Sequence, residues 1–116
     1  MDSSLPRVSV SVEDRIILHL FEYIEEEDRF IVSKEITRPG IAEACALHPP
    51  NVSRSIKSLE RRGFVEGRSA SVRGESRRQK AWQLTPSGKK IAKERRQNLR
   101  KTLVLIRDYK GRLLEI

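Results

Sequence analysis

The chain has 116 residues, the size of one ordinary domain, and its 24 Lys and Arg against 16 Asp and Glu give a formal net charge of +8. One cysteine, Cys45, excludes an internal disulfide, and with two histidines in the chain neither a zinc site nor any other metal site is expected. Apolar runs too short for a bilayer and an N-terminus without a secretory-signal layout predict a soluble, cytoplasmic protein that binds no membrane.

The N-terminal third of the chain predicts a tail, a helix and a brief strand. Residues 1–11 show no periodic pattern and are expected to form the tail. Ser11 followed by Asp14 resembles a capping box, and the apolar residues after it recur at helical spacing, which predicts a helix over 12–27. The short apolar run at 30–32 is expected to pair as a strand.

Two short helices follow, separated by a tight turn. Thr37 is a typical N-cap and predicts a helix near 38–46, on whose small-residue face Cys45 is expected to be a packed thiol. His48 takes the cap position of a second helix over 49–62, which Gly63 ends. Two short helices joined by a three-residue turn form a helix-turn-helix.

A β-hairpin with a basic tip comes next. The segments 64–72 and 81–84 are predicted to be its two strands, and residues 73–80 form a Gly-containing turn rich in cations. The candidate binding residues of this turn are its cations Arg73, Arg77, Arg78 and Lys80.

The C-terminal part is predicted to hold a polar helix and a closing hairpin. The helix covers about 86–101, and the hairpin covers 102–116 around a turn at 108–111. Residues 12–101 would then form one domain, and 102–116 could begin another. An apolar hairpin needs covering, either by the domain itself or by a partner, and a homodimer or a further C-terminal domain or partner stays open as an expectation.

The charge is concentrated in one part of the chain. Residues 54–101 hold 16 basic and four acidic residues, whereas the rest holds eight basic and 12 acidic residues, including the acidic cluster at 25–28. Such asymmetry is typical of proteins that bind polyanions, of which nucleic acid is the commonest. A solvated basic surface without a partner is the alternative.

One face of the predicted 49–62 helix carries most of the candidate binding residues. Apolar residues at Val52, Ile56 and Leu59 define its inner side. The DNA major groove admits a helix of this kind, with Arg and Lys for guanine edges or phosphates and Ser or Asn for either. The candidate residues on the outer face and its borders are Pro50, Asn51, Ser53, Arg54, Lys57, Ser58 and Arg61.

The order of elements, together with residues 36–44, 51–65 and 81–88, resembles the winged helix-turn-helix DNA-binding domains of the MarR-like group, particularly archaeal examples. The resemblance implies a mainly α fold with a small β-hairpin wing (α+β). It also implies sequence-specific binding of double-stranded DNA by a transcription regulator, with 49–62 as the recognition helix and 73–80 as the wing. The turn residues before the recognition helix depart from the small polar residues common in the group.

No catalytic constellation is visible, so the protein is not expected to be an enzyme or to need a cofactor. His19 and His48 lack a suitably spaced Ser or Cys, and the glycines form no phosphate-binding loop. The alternative function is that of an N-terminal winged-helix module of a larger protein, used for protein or RNA interaction. An aromatic content of 5% favours duplex DNA over single strands, whose binders stack bases on exposed rings.

Overall fold

The structure, a computed structural model, describes residues 10–24 and 31–110, and the side chains of these residues up to 101. Predictions for residues 1–9, 25–30 and 111–116 therefore lie outside the described residues. The elements in chain order are α1 Val12–Phe21, β1 Ile31–Val32, a 3-10 turn Lys34–Ile36, α2 Arg38–Cys45, α3 Pro49–Arg61, β2 Val65–Val72, β3 Arg78–Leu84 and α4 Pro86–Lys110.

Helix α1 begins where the sequence predicts and ends earlier. Ser11 Oγ accepts the Asp14 amide at 3.1 Å, so the N-cap is confirmed. The helix ends at Phe21 with Glu22 as its C-cap, and the predicted extent of 12–27 is wrong. A helix that continued to residue 27 would carry the acidic residues 25–27 in its last turn, where carboxylates oppose the helix dipole.

Helix α2 is anchored by a buried threonine. Thr37 is 1% exposed, and its hydroxyl donates to the Lys34 carbonyl at 2.7 Å and accepts the Gly40 amide at 3.3 Å. Ala46 adopts the left-handed conformation that ends the helix. The predicted helix near 38–46 is thus confirmed.

Helix α3 begins at the predicted residue, ends at Arg61, one residue before the predicted end, and follows α2 after a short turn. His48 occupies the N-cap position, although its side chain makes no capping hydrogen bond. Gly63, with φ at 80°, ends the helix as predicted. Val52, Ile56 and Leu59 have no exposed surface, so the predicted inner side faces the core.

The sheet has three strands in the order β1-β2-β3, with β1 parallel to β2 and β2 antiparallel to β3. The predicted turn 73–80 is too long, because β3 already begins at Arg78, which pairs with Ser71. The tip of the wing is therefore 73–77. The error has a physical reason: backbone pairing continues along polar residues 78–80, which give no apolar alternation to reveal a strand.

The core lies where α1, α2, α3 and the sheet meet. Its largest fully buried side chain is Trp82, with 1% of its surface exposed. Cys45 is buried as predicted, and its Sγ donates to the Arg15 carbonyl at 3.6 Å. Burial raises the pKa of this thiol, which keeps it protonated and unreactive at neutral pH.

Helix α4 is longer than predicted and replaces the first strand of the expected C-terminal hairpin. It runs from Pro86 to Lys110, so residues 102–110 are helical. The apolar run at 103–106 fits a strand or a helix equally well, and no Gly or Pro interrupts the chain between Gly88 and Gly111. Across the described residues, no helix has the length and apolar character needed to cross a membrane.

A close backbone approach fixes the start of α4 against the end of α3. Thr85 caps α4 by accepting the Gly88 amide at 3.0 Å, and its hydroxyl donates to the Gly63 carbonyl at 2.6 Å. A Cβ at Gly88 would lie 2.0 Å from the Phe64 carbonyl oxygen, a distance that no side chain can occupy.

We expect Gly88→Ala to lower the free energy of unfolding by about 1–3 kcal/mol, because α4 must move away from Phe64 to admit the methyl group. Urea denaturation followed by circular dichroism measures the change. Ser87→Ala, at the neighbouring exposed position, is the control and should stay within about 0.5 kcal/mol of the parent protein. Equal stability of the two variants would contradict the close contact.

Candidate nucleic-acid interface

The outer face of α3 carries the predicted cations. With the apolar side of the helix fully buried, the side chains of Arg54, Lys57 and Arg61 and the ring of Pro50 are exposed. Asn51, Ser53 and Ser58 are partly buried along the borders of this face. The structure therefore brings the predicted recognition residues together on one helix, with the charged groups outermost.

Two of these residues are bonded to each other. The Arg54 guanidinium donates from Nη2 to Asn51 Oδ1, one helical turn away. The contact restricts both side chains before any ligand arrives. Restricting them in advance lowers the entropy cost of binding, and this is the advantage of a preorganised site.

One border of α3 faces the start of α1. Val12, Glu13, Asn51, Arg54, Ser55 and Ser58 line a shallow depression of about 380 Å³ between the two helices. Glu13 accepts a hydrogen bond from Arg62, which also lies 5.4 Å from the centre of the Phe64 ring. Asn51 and Ser58 therefore border an acid, whereas Lys57 and Arg61 do not line this depression. Sequence reasoning left out Arg62, although it directly follows the predicted cations of the helix.

The wing presents cations at its tip and along one face of β3. Arg73 and Arg77 are exposed at the tip, and the Arg73 amide donates to the Val32 carbonyl at 2.9 Å, which ties the tip to β1. Arg78 Nη2 donates to the Ser69 carbonyl at 2.8 Å, and its Nε donates to Ser69 Oγ at 3.3 Å. These bonds hold the Arg78 side chain across the hairpin.

A further cation, Arg38, lies beside the wing, and the sequence pattern did not identify it as a candidate. It is the first residue of α2, it is exposed, and its Cζ lies 5.7 Å from the centre of the Trp82 ring. Lys80 Nζ lies 4.7 Å from the same ring. No spacing pattern could have revealed this contact, because Arg38 and Trp82 are far apart in the chain.

The described residues form no candidate metal site, and His19 makes a structural contact. Over residues 10–24 and 31–110, no group of three or more His, Cys, Asp or Glu side chains could hold a metal ion. His19 Nε2 lies 2.8 Å from the Glu35 carbonyl oxygen, so it joins α1 to the 3-10 turn. This placement is that of a structural side chain.

Comparisons with known proteins identify the fold. No protein-family model matches the chain, and no curated protein matches it. Among solved structures, a single-site mutant of ZitR from Lactococcus lactis has a TM-score of 0.69 and 22% identity over 96% of this chain and 67% of that one. The chain has a winged-helix fold.

Other structures with this winged helix include complexes with nucleic acid. Wild-type ZitR in complex with DNA has a TM-score of 0.61 and 21% identity over 96% of this chain and 67% of that one. MepR, a transcription regulator of the Staphylococcus aureus multidrug efflux pump MepA, has a TM-score of 0.56 and 22% identity over 80% and 60%. Both are MarR-family winged-helix regulators, so the fold expected from the MarR-like resemblance is confirmed.

If the basic face of α3 binds duplex DNA, Glu13→Gln should tighten that binding. The change removes a negative charge beside α3 and releases Arg62, so Kd should fall by about two- to five-fold, in keeping with ~1 kcal/mol or less for an exposed ion pair. Fluorescence anisotropy with a labelled duplex measures Kd. Glu22→Gln, at the other end of α1, is the charge-matched control. An equal effect of both variants would show that only the net charge of the protein matters.

Proposed function

We propose that the protein is a transcription regulator that binds double-stranded DNA in a sequence-specific manner, with α3 in the major groove and the wing on the backbone or in the minor groove. One observation carries the proposal: the outer face of α3 and the adjacent wing are lined with exposed cations, on a fold shared with ZitR in its DNA complex. Charge, shape and fold thus favour the same partner.

The chemistry of α3 suits the reading of bases. A major groove about 12 Å wide accepts one helix, and Arg pairs with the two acceptors of guanine through a bidentate contact. We assign such a contact to Arg54, which is bonded to Asn51, and we assign contacts with guanine edges or phosphates to the exposed Lys57 and Arg61. Ser53 and Ser58 add hydrogen bonds at the borders of the face.

The wing suits the backbone or the minor groove. Arg73 and Arg77 project at the tip, and a narrow minor groove attracts arginine through its enhanced negative potential. Arg78 and Lys80 follow on one face of β3, and we assign them to flanking phosphates. Contacts of this type add affinity and position α3 without reading sequence.

The aromatic residues argue for duplex DNA and against the alternative role in single-stranded RNA binding. In the described part of the chain no aromatic ring is fully exposed: Trp82 is buried, and Phe21, Tyr23 and Phe64 are partly buried. Proteins that bind single strands need exposed rings on which bases stack. A role in protein interaction alone would not require cations clustered on α3 and the wing.

We also propose that the regulator is a homodimer in the cytoplasm. Helix α4 has 25 residues and its sequence holds an apolar run at 103–106, from which we infer pairing with a second copy. Light scattering at micromolar concentration should give about twice the 13.4 kDa mass of one chain. A single-chain mass would favour the alternative of a further C-terminal domain. The archaeal type stays a prediction.

DNA binding itself is tested with a random-sequence duplex of about 30 base pairs, titrated by fluorescence anisotropy at several salt concentrations. Micromolar binding that weakens steeply with salt is the expected result. No binding at low salt would overturn the proposal and favour the protein-interaction module.

Sequence-specific recognition is tested at Arg54. A preferred site selected from random duplexes should bind the Arg54→Ala variant about 1–3 kcal/mol more weakly, because a bidentate base contact is lost, while binding to random DNA changes much less. Arg100→Ala, an exposed arginine on α4, is the charge-matched control. An unchanged preference in Arg54→Ala would show that another face of α3 reads the bases.

A further inference from the structure

Two cations from separate parts of the winged helix lie against one buried indole ring. Trp82 is 1% exposed, with Lys80 Nζ at 4.7 Å and Arg38 Cζ at 5.7 Å from its ring centre. Lys80 belongs to the wing, whereas Arg38 begins the first helix of the helix-turn-helix. Because both groups contact the same ring, the two charges lie within roughly 10 Å of each other.

The backbone around the indole holds both cations in place. Thr37, which precedes Arg38, forms an antiparallel bridge with Ala81, the residue between Lys80 and Trp82. Across the hairpin, Trp82 pairs with Gly67, where a Cβ would lie 2.7 Å from ring atom Cζ3 and 2.8 Å from Lys80 Cε. Only a glycine at this position lets the ring and the lysine stem lie against β2 together.

No acid neutralises these two charges in the described part of the chain. The ion pairs found there join Arg62 to Glu13 and Arg95 to Asp14, and neither Arg38 nor Lys80 takes part in one. Two cations held close together without a carboxylate repel each other, and an anion between or beside them removes that cost. The site therefore favours an anionic ligand.

We propose that Arg38 and Lys80 form a two-cation clamp on the DNA backbone, with Trp82 as the residue that positions both. The proposal rests on the DNA-binding function proposed above. Phosphates follow each other at about 3.4 Å of axial rise along one strand, so two cations no farther apart than roughly 10 Å can reach phosphates of one short stretch. The clamp joins the helix-turn-helix to the wing and contributes affinity independent of sequence.

The experiment uses Arg38→Met, Lys80→Met and the double variant, which keep an aliphatic side chain against the indole and remove the charge. For each protein the affinity for the random duplex is measured across salt concentrations. Each single variant should reduce the steepness of log K against log salt by about 0.9, the value for one lost phosphate contact, and the double variant by about twice that amount.

The control is Arg96→Met, which removes the same charge and the same kind of ring contact elsewhere. Arg96 Cζ lies 5.7 Å from the centre of the Phe21 ring, between α4 and α1. Its salt dependence should equal that of the parent protein. If the control lowers the steepness as much as Arg38→Met, the effect is one of net charge and the clamp is wrong.

A second readout comes from the indole, because Trp82 is the only tryptophan of the chain. Its fluorescence should change on DNA binding, follow the anisotropy curve, and lose this response in the double variant. If the parent protein binds DNA while the Met variants keep the parental salt dependence and fluorescence response, the cations only cover the core and the clamp is overturned. If the parent protein binds no DNA, the proposed function fails as well.

Discussion

The placement of α3 on the core is the constraint on which the rest of the interface depends. Val52, Ile56 and Leu59 lose all contact with solvent, and their burial fixes the rotation of the helix about its axis. Exposing any of them would cost about 1.5–3 kcal/mol, far more than one surface charge contributes. The orientation of Lys57 and Arg61 toward solvent is therefore a consequence of apolar packing, and any ligand meets a face that the core has already selected.

Two threonine side chains cap helices and connect the neighbouring elements of the fold. Thr37 caps α2 and pairs with β3, and Thr85 caps α4 and bonds to the Gly63 carbonyl at the end of α3. Each hydroxyl thus satisfies a helix terminus and also connects two elements of the fold. The Thr37 bond to the Gly40 amide is buried and the Thr85 bond to the Gly88 amide is partly buried. Breaking either bond leaves polar groups with little access to water, which makes the junctions stiff. The wing consequently keeps a defined position relative to the helix-turn-helix.

The parts of the structure that the sequence predicts are those set by local patterns. The periodicity of α3, the cap at Thr37 and the stop at Gly63 depend on neighbouring residues, and all three are confirmed. The start of β3 and the length of α4 could not be predicted, since polar strand residues show no alternation and a short apolar run fits either structure. The contacts of Trp82 depend on residues distant in the chain, which no local pattern encodes.

The ion pairs of the described residues divide the cations into two groups. Arg62 and Arg95 are each paired with an acid of α1, so their charge is offset where α1 packs against α3 and α4. Within residues 10–24 and 31–101, the candidate cations on the outer face of α3 and on the wing make no ion pair. Their mutual repulsion raises the free energy of the unbound fold, and a polyanion removes it on binding. A ligand that binds the folded state alone must also stabilise that state. The electrostatic cost of the free protein and its affinity for a phosphate backbone thus have the same physical origin.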